Sequence, residues 1–193
     1  MIKSNGLNKI RIAVFISGKG SNFKNLINSS NKRNSKFQIA IVVSNNSKAE
    51  GLKYSKKFKI KKIINYVNTN LAEKILISKL KKEKIRIICL AGFMKILSKK
   101  FIKNFNGIIL NIHPSLLPKY KGLNTHSRAI NNNDQYSGCT VHYVNSKLDS
   151  GKIILQKKVK ILKKDNSASL AKKILLQEHI LYPKALNKVL SNL

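Results

Sequence analysis

Short runs of β-branched and aliphatic residues recur along this chain, each followed by a longer stretch with amphipathic spacing. That alternation restricts the fold more than any other feature. "IRIAVFIS" (residues 10–17), "FQIAIVVS" (37–44), a weaker "KKIINYV" (61–67), "IRIICLAG" (85–92) and "GIILNIH" (107–113) read as five strands. "GSNFKNLINSSNK", "KAEGLKYSKKF", "NLAEKILISKLKKEK" and the short "SKKFIKNF" read as the helices between them; in the third, Leu71, Ile75 and Leu80 set the apolar spacing. Strands separated by helices are joined by crossovers, so the sheet is expected to be mostly parallel and twisted, with helices on both faces. The near-continuous apolar character of residues 85–92 fits a strand buried on both sides. The second half changes character. "GCTVHYVN" and "KIILQKKVKI", on either side of "SKLDSG", read as a hairpin, and residues 167–193 as a long helix broken or bent near Pro183. "NNNDQ" (131–135) reads as a loop tip. With no repeat and no linker, residues 1–193 are expected to form a single α/β domain, long enough for a sizeable core.

Charge is the unusual part of the composition. Lys and Arg number 39 against 7 Asp and Glu, a formal +32. Clustered cations would suit nucleic acid. The lysines are spread along the whole chain, however, and Arg occurs only at Arg11, Arg33, Arg86 and Arg128. Base readers lean on the bidentate fork of Arg. Lys, Ile and Asn are inflated together, as AT-rich codon usage would do, so compositional drift accounts for the charge more readily and no specific nucleic-acid partner is expected. The field still favours anionic small molecules. Two cysteines, Cys89 and Cys139, are too few for a disulfide framework and suggest a cytoplasmic setting. The N-terminus has no apolar signal core, and no run approaches the ~20 apolar residues that span a bilayer, so no membrane partner is expected.

Three stretches carry chemistry. In "SGKGSN" (17–22), between the first strand and first helix, the amides of Gly20, Ser21 and Asn22 point out of a helix N-terminus and suit a phosphate. The spacing is neither a P-loop nor a full dinucleotide fingerprint. The plainer alternative is a tight turn with Ser21 as N-cap. In "IILNIHPSLLPKYKG", Asn111 and His113 fall where the fifth strand gives out, and ligands of open parallel sheets bind beyond the carboxyl ends of strands; taken alone, the pair reads more readily as side chains satisfying loop backbone groups. In "KLDSG" (147–151), Asp149 either makes an Asx-turn or pairs with His113 and holds the imidazole protonated. A metal site built on His113, His126, His142 and Cys139 lacks ligand spacing, so no metal is expected. Cys139 reads as a core thiol rather than a nucleophile.

Taken together, "ISGKGSNFKNLI", "LAGFMKILS", "NIHPSLLPKYKGLNTHSRAI", "GCTVHYV", "LDSGKIILQKKV" and "QEHILYP" resemble the phosphoribosylglycinamide formyltransferase family, folate-dependent enzymes of purine synthesis, from about Ile10 to Pro183. The resemblance implies a Rossmann-like formyltransferase fold and two small-molecule substrates, glycinamide ribonucleotide and 10-formyltetrahydrofolate as formyl donor. It implies Asn111, His113 and Asp149 as catalytic residues. It places the ribonucleotide on Gly20, Ser21, Asn22 and Glu178. It places the folate on Met94, Lys95, Ile96 and Leu97 and, across the pocket, on Asn111, Asn145, Ser146, Lys147, Leu148 and Asp149. A monomer or weak homodimer is expected.

Some positions depart from the family pattern. Lys95 stands where Arg is frequent, and Asn124 where His is common, leaving His126 alone there. No clear match is found for a basic residue the family often carries near Thr69 or Asn70, so part of the grip on the folate tail is open. The chain stops soon after "YPKALNKVLSNL", and the segment lost is expected to be peripheral. Related hydrolases and methionyl-tRNA formyltransferases share the Asn-His-Asp set but carry an added domain, for which 193 residues leave no room.

Overall fold

The computed structural model describes residues 9–64, 66 and 69–193. Among them, the elements in chain order are β1 (Ile10–Ile16), α1 (Ser21–Ser30), β2 (Phe37–Ser44), α2 (Leu52–Lys57), β3 (Lys61–Ile64), α3 (Asn70–Lys82), β4 (Ile87–Leu90), α4 (Lys99–Asn104), β5 (Ile108–His113), α5 (Thr125–Asn131), β6 (Tyr136–Tyr143), β7 (Ile153–Lys160) and α6 (Ser167–Leu190). The strands form one sheet in the order β3-β2-β1-β4-β5-β6-β7. The first five are mutually parallel; β6 is antiparallel to β5 and pairs with β7 as the expected hairpin. Residues 65 and 67, the end of the expected third strand, lie outside the described residues.

Both faces of the sheet are covered because its strands are apolar on both sides. Ile12, Val14 and Ile16 of β1 join a core with Phe23, Leu26, Leu170, Ile174 and Tyr182 from α1 and α6. Ala13 and Phe15 point the other way, into a core with Leu76, Leu80 and Phe101 from α3 and α4. That is the period-2 alternation of a central strand. The edge strand β7 carries Lys157, Lys158 and Lys160, charges that discourage further strands from adding.

Two helix expectations need correcting. In α3, Leu71 is 69% exposed and Ile75 48% exposed; the buried stripe is Glu73, Leu76 and Leu80. The helix is rotated because the Glu73 carboxylate finds partners inside: it accepts from the Tyr66 hydroxyl at 2.8 Å, from the Ser98 amide at 3.3 Å and from the Ser98 hydroxyl. The final helix is not broken at Pro183 but runs through it to Leu190. Proline leaves the carbonyl four residues back without its helical donor. That carbonyl belongs to His179, and the Asn25 side-chain amide of α1 donates to it instead. α6 starts at a capping box, Asn166 accepting from the Ser169 amide at 2.9 Å while Ser169 Oγ accepts from the Asn166 amide at 3.0 Å.

The chain leaves β1 toward β2 and β3, then crosses back to add β4 on the other side of β1. The crevice of such a sheet opens at that reversal, beyond the carboxyl ends of β1 and β4.

Candidate active site

A cavity of about 1160 Å³ occupies that crevice. It exceeds the ~300–1,000 Å³ of a typical single-ligand pocket, so there is room for two reactants. Its floor holds Asn111 and His113 from the end of β5, with His142 of β6 and Asp149 of the β6–β7 turn. A smaller cavity of about 510 Å³, between α1 and α6, includes none of these residues.

Sheet register brings the floor together. Asn111 and His142 are directly opposed on the antiparallel β5–β6 pair. Asn111 Nδ2 lies 3.3 Å from His142 Nε2 and donates to Asp149 Oδ1 at 3.4 Å. His113 Nδ1 is 3.3 Å from Asp149 Oδ2. The other ring nitrogen, Nε2, is 2.8 Å from the Tyr120 carbonyl, which only accepts, so Nε2 carries a proton. Both ring nitrogens thus face acceptors, an arrangement that an imidazolium satisfies. His142 Nδ1 donates to the Tyr143 carbonyl at 2.8 Å, and its Nε2 lies between the Asn111 amide and Asp149 Oδ1, 3.6 Å from the latter.

Asp149 is buried, with a left-handed backbone (φ 44°). Gly151, just beyond it, passes so close to the next strand that a Cβ there would sit 1.7 Å from the Tyr143 carbonyl oxygen. The turn that delivers the carboxylate therefore needs a glycine. Burial alone would raise the Asp149 pKa; the His142 ring, the Gly122 amide donating at 2.9 Å and the His113 imidazole outweigh it, and the group ends below its ordinary value. The result is a carboxylate held charged beside two imidazoles.

At one end of the cavity lies the loop after β1. The helix N-cap is Gly20 in the left-handed region (φ 68°), not Ser21, which is the first residue of α1. A Cβ on Gly20 would meet Gly51 Cα at 2.6 Å, so the close approach of these two glycines shapes the loop. Across from it Glu178 of α6 is 7% exposed and accepts from Asn22 Nδ2 at 2.6 Å. Burial raises its pKa to about 7 despite that hydrogen bond. Asn22 Oδ1 is buried without a partner.

The other end is apolar. Met94, Lys95, Ile96 and Leu97, after β4, face Asn145, Ser146, Lys147 and Leu148 of the β6–β7 turn across the opening. Met94, Ile96, Leu123 and Leu148 are each more than half exposed, an unusual concentration of apolar surface at one mouth. The loop after β4 is tied to the loop after β1 through Ser17, whose Oγ accepts from the Met94 amide at 2.7 Å.

All the residues expected from sequence thus line one cavity. His142 was weighed there only as a metal ligand. Nothing in the sequence gives its register against Asn111. His126 also lines the cavity, with Nδ1 unpartnered and its pKa lowered by burial and by the nearby His113. Cys139 is fully buried, and burial together with the Glu178 charge pushes its thiol up to about 12, so it remains a neutral core residue. Among the described residues no three His, Cys, Asp or Glu side chains are grouped to hold a metal ion, and no helix is long and apolar enough to cross a membrane.

A mostly parallel sheet with Asn111, His113 and Asp149 in one cavity with the loop after β1 and an apolar mouth fits a group-transfer enzyme. The chain belongs to the formyl transferase family, whose profile matches residues 10–186. It is 41% identical over 177 residues to phosphoribosylglycinamide formyltransferase of Haemophilus influenzae, covering 90% of this chain and 84% of that one. It is 43% identical over 187 residues to the human trifunctional purine biosynthetic protein adenosine-3, covering 95% of this chain but only 18% of that much longer protein. The crystal structure of phosphoribosylglycinamide formyltransferase from Anaplasma phagocytophilum superposes with a TM-score of 0.90 at 37% identity, covering 96% of this chain and 88% of that one. The enzyme of the same name from Brucella melitensis gives 0.89 at 38% identity, covering 95% and 96%.

Proposed function

We propose that this chain transfers the formyl group of 10-formyltetrahydrofolate to the amine of glycinamide ribonucleotide, as a step of purine synthesis. The observation that carries this reading is that Asn111, His113 and Asp149 line one cavity together with the loop after β1 and an apolar mouth. The ribonucleotide phosphate sits on the amides of Gly20, Ser21 and Asn22 at the start of α1. Its ribose hydroxyls turn to Glu178. The apolar side chains of Met94, Ile96, Leu97 and Leu148 enclose the pterin, and backbone groups of residues 94–97 and 145–149 read its polar edge. We place this activity in the cytoplasm, a reading supported by Cys89 and Cys139 being free, buried thiols.

The amine nitrogen attacks the formyl carbon, and the carbonyl oxygen becomes a tetrahedral oxyanion. Asn111 donates its amide to that oxygen. The amide's present contacts are long, at 3.3 and 3.4 Å, so an oxyanion at 2.8–3.0 Å wins the hydrogens. His113, charged against Asp149, stabilises the oxyanion. As the intermediate collapses, the bond from carbon to the folate nitrogen breaks and that nitrogen receives a proton from His113. The attacking amine gives up one proton in turn, and the Asp149 carboxylate on the cavity wall takes it.

Calorimetric titration of the wild-type chain with glycinamide ribonucleotide tests the assignment of the loop. Binding that inorganic phosphate competes away, and that Glu178→Ala weakens, supports it. Ribonucleotide binding indifferent to both overturns it.

A further inference from the structure

The "NNNDQ" stretch that reads as a loop tip is tied to the catalytic imidazole through one tyrosine. Asp134 Oδ2 accepts from the Tyr120 hydroxyl at 2.8 Å, and Asp134 Oδ1 takes the Lys119 ammonium at 2.8 Å. The same hydroxyl accepts from Asn132 Nδ2 at 2.8 Å. The Arg128 guanidinium lies over the Tyr120 ring, 4.9 Å from its centroid, and donates to the Lys121 carbonyl at 2.8 Å. Tyr120 is therefore held at its hydroxyl, at its ring face and through the next peptide. Its backbone is left-handed (φ 56°), a conformation a tyrosine keeps only when its surroundings enforce it. The product of that enforcement is the Tyr120 carbonyl, set 2.8 Å from His113 Nε2.

We propose that Tyr120 and Asp134 form a positioning brace that commits Nε2 of His113 to the Tyr120 carbonyl and so makes Nδ1, beside Asp149, the nitrogen that exchanges a proton with the reactants. The argument is geometric. A carbonyl takes the Nε2 hydrogen and offers none back, so this nitrogen is occupied throughout. Nδ1 meets Asp149 at 3.3 Å, a looser contact on the cavity side, where a substrate atom competes for the proton. Were the brace released, the ring could rotate about its side-chain bonds and present either nitrogen. Neither Tyr120 nor Asp134 lines the cavity, so neither needs to touch a reactant.

The assignment rests on the proposed formyl transfer, and its test is chosen to be read separately. Tyr120→Phe and Asp134→Ala are compared with Asp134→Asn, which keeps an oxygen for the tyrosine hydroxyl. Each is examined by steady-state kinetics and by ¹⁵N spectroscopy of the histidine rings, with His113→Ala to assign the His113 signals. The brace predicts that Tyr120→Phe and Asp134→Ala lower kcat about ten- to a hundredfold with both KM values nearly unchanged, as for a misplaced reacting group. Asp134→Asn recovers most of the loss. The His113 Nε2–H signal, present in the wild type, broadens or moves in the two damaging variants. An unaltered His113 signal in a folded Tyr120→Phe protein overturns the brace, whatever the kinetics. A wild type that does not turn over overturns the formyl-transfer reading, while the ring signals still decide the brace.

Discussion

His113 Nδ1 lies 3.3 Å from Asp149 Oδ2, although the first ends β5 and the second sits in the turn between β6 and β7. Both side chains are buried to within a tenth of their surface, so each depends on the other for a charge partner. A lone buried charge is strongly unfavourable. Asp149→Asn should therefore disable His113 without removing it. We expect kcat to fall by about 10²–10⁴-fold, the usual share of acid–base catalysis, in a protein whose circular dichroism is unchanged. A fall of less than fivefold would count against the pair.

In the proposed reaction Asn111 supplies its amide to charge that exists only in the transition state. Asn111→Ala should lower kcat by about 10²–10³-fold, roughly 3–4 kcal/mol, while leaving the KM for ribonucleotide within a few fold. A rise in KM at constant kcat would make Asn111 a simple binding residue.

Glu178 should make stability depend on pH. Its folded pKa is raised from 4.5 to about 7 by burial, so the folded state holds a proton that the unfolded state has released. Stability from this group is therefore lost as pH rises from about 4.5 through 7, the reverse of a salt-bridged carboxylate. Glu178→Gln should melt higher than the wild type at pH 8, by at most about 3 kcal/mol, with little difference at pH 4.5. It should also bind the ribonucleotide more weakly. Melting curves of both proteins at the two pH values check the sign.

Gly20→Ala should damage the loop proposed to hold the ribonucleotide phosphate. The new methyl would meet Gly51 Cα at 2.6 Å, on a backbone with φ 68°. We expect about 1–3 kcal/mol of lost stability. We also expect a larger rise in KM for the ribonucleotide than for the folate. Equal effects on both would place the loop's role elsewhere.

What the sequence told of the fold came from alternation and apolar runs. β1, β2 and β5 are short runs dominated by apolar residues, β6 and β7 flank the Asp-Ser-Gly turn, and all of them stand within two residues of where the pattern put them. α3 was misread because Leu71 and Ile75 obey helical spacing while the true inner stripe includes a glutamate. Glu73 is explained by the hydroxyls of Tyr66, just before the helix, and Ser98, well after it, which only the folded chain brings to its carboxylate. α5 (Thr125–Asn131) went unassigned, since "THSRAIN" has one polar turn after another and buries little beyond Thr125 and Ala129. At the site, Asn111 and His113 were legible because polar residues ending an apolar strand are conspicuous. His142 and Asp134 were not: the first acts through strand register and the second through a tyrosine fourteen positions away, and neither relation has a local signature.

The central claim is that one cavity brings a formyl-folate and a ribonucleotide amine onto Asn111, His113 and Asp149. The most direct measurement uses 10-formyltetrahydrofolate labelled in the formyl carbon. The label is followed in a single turnover with and without glycinamide ribonucleotide, for the wild type and His113→Ala. The account predicts label in the ribonucleotide, tetrahydrofolate released only when the ribonucleotide is present, and near-silence from the variant. Label released as free formate without the ribonucleotide, or transfer undiminished in His113→Ala, would contradict it.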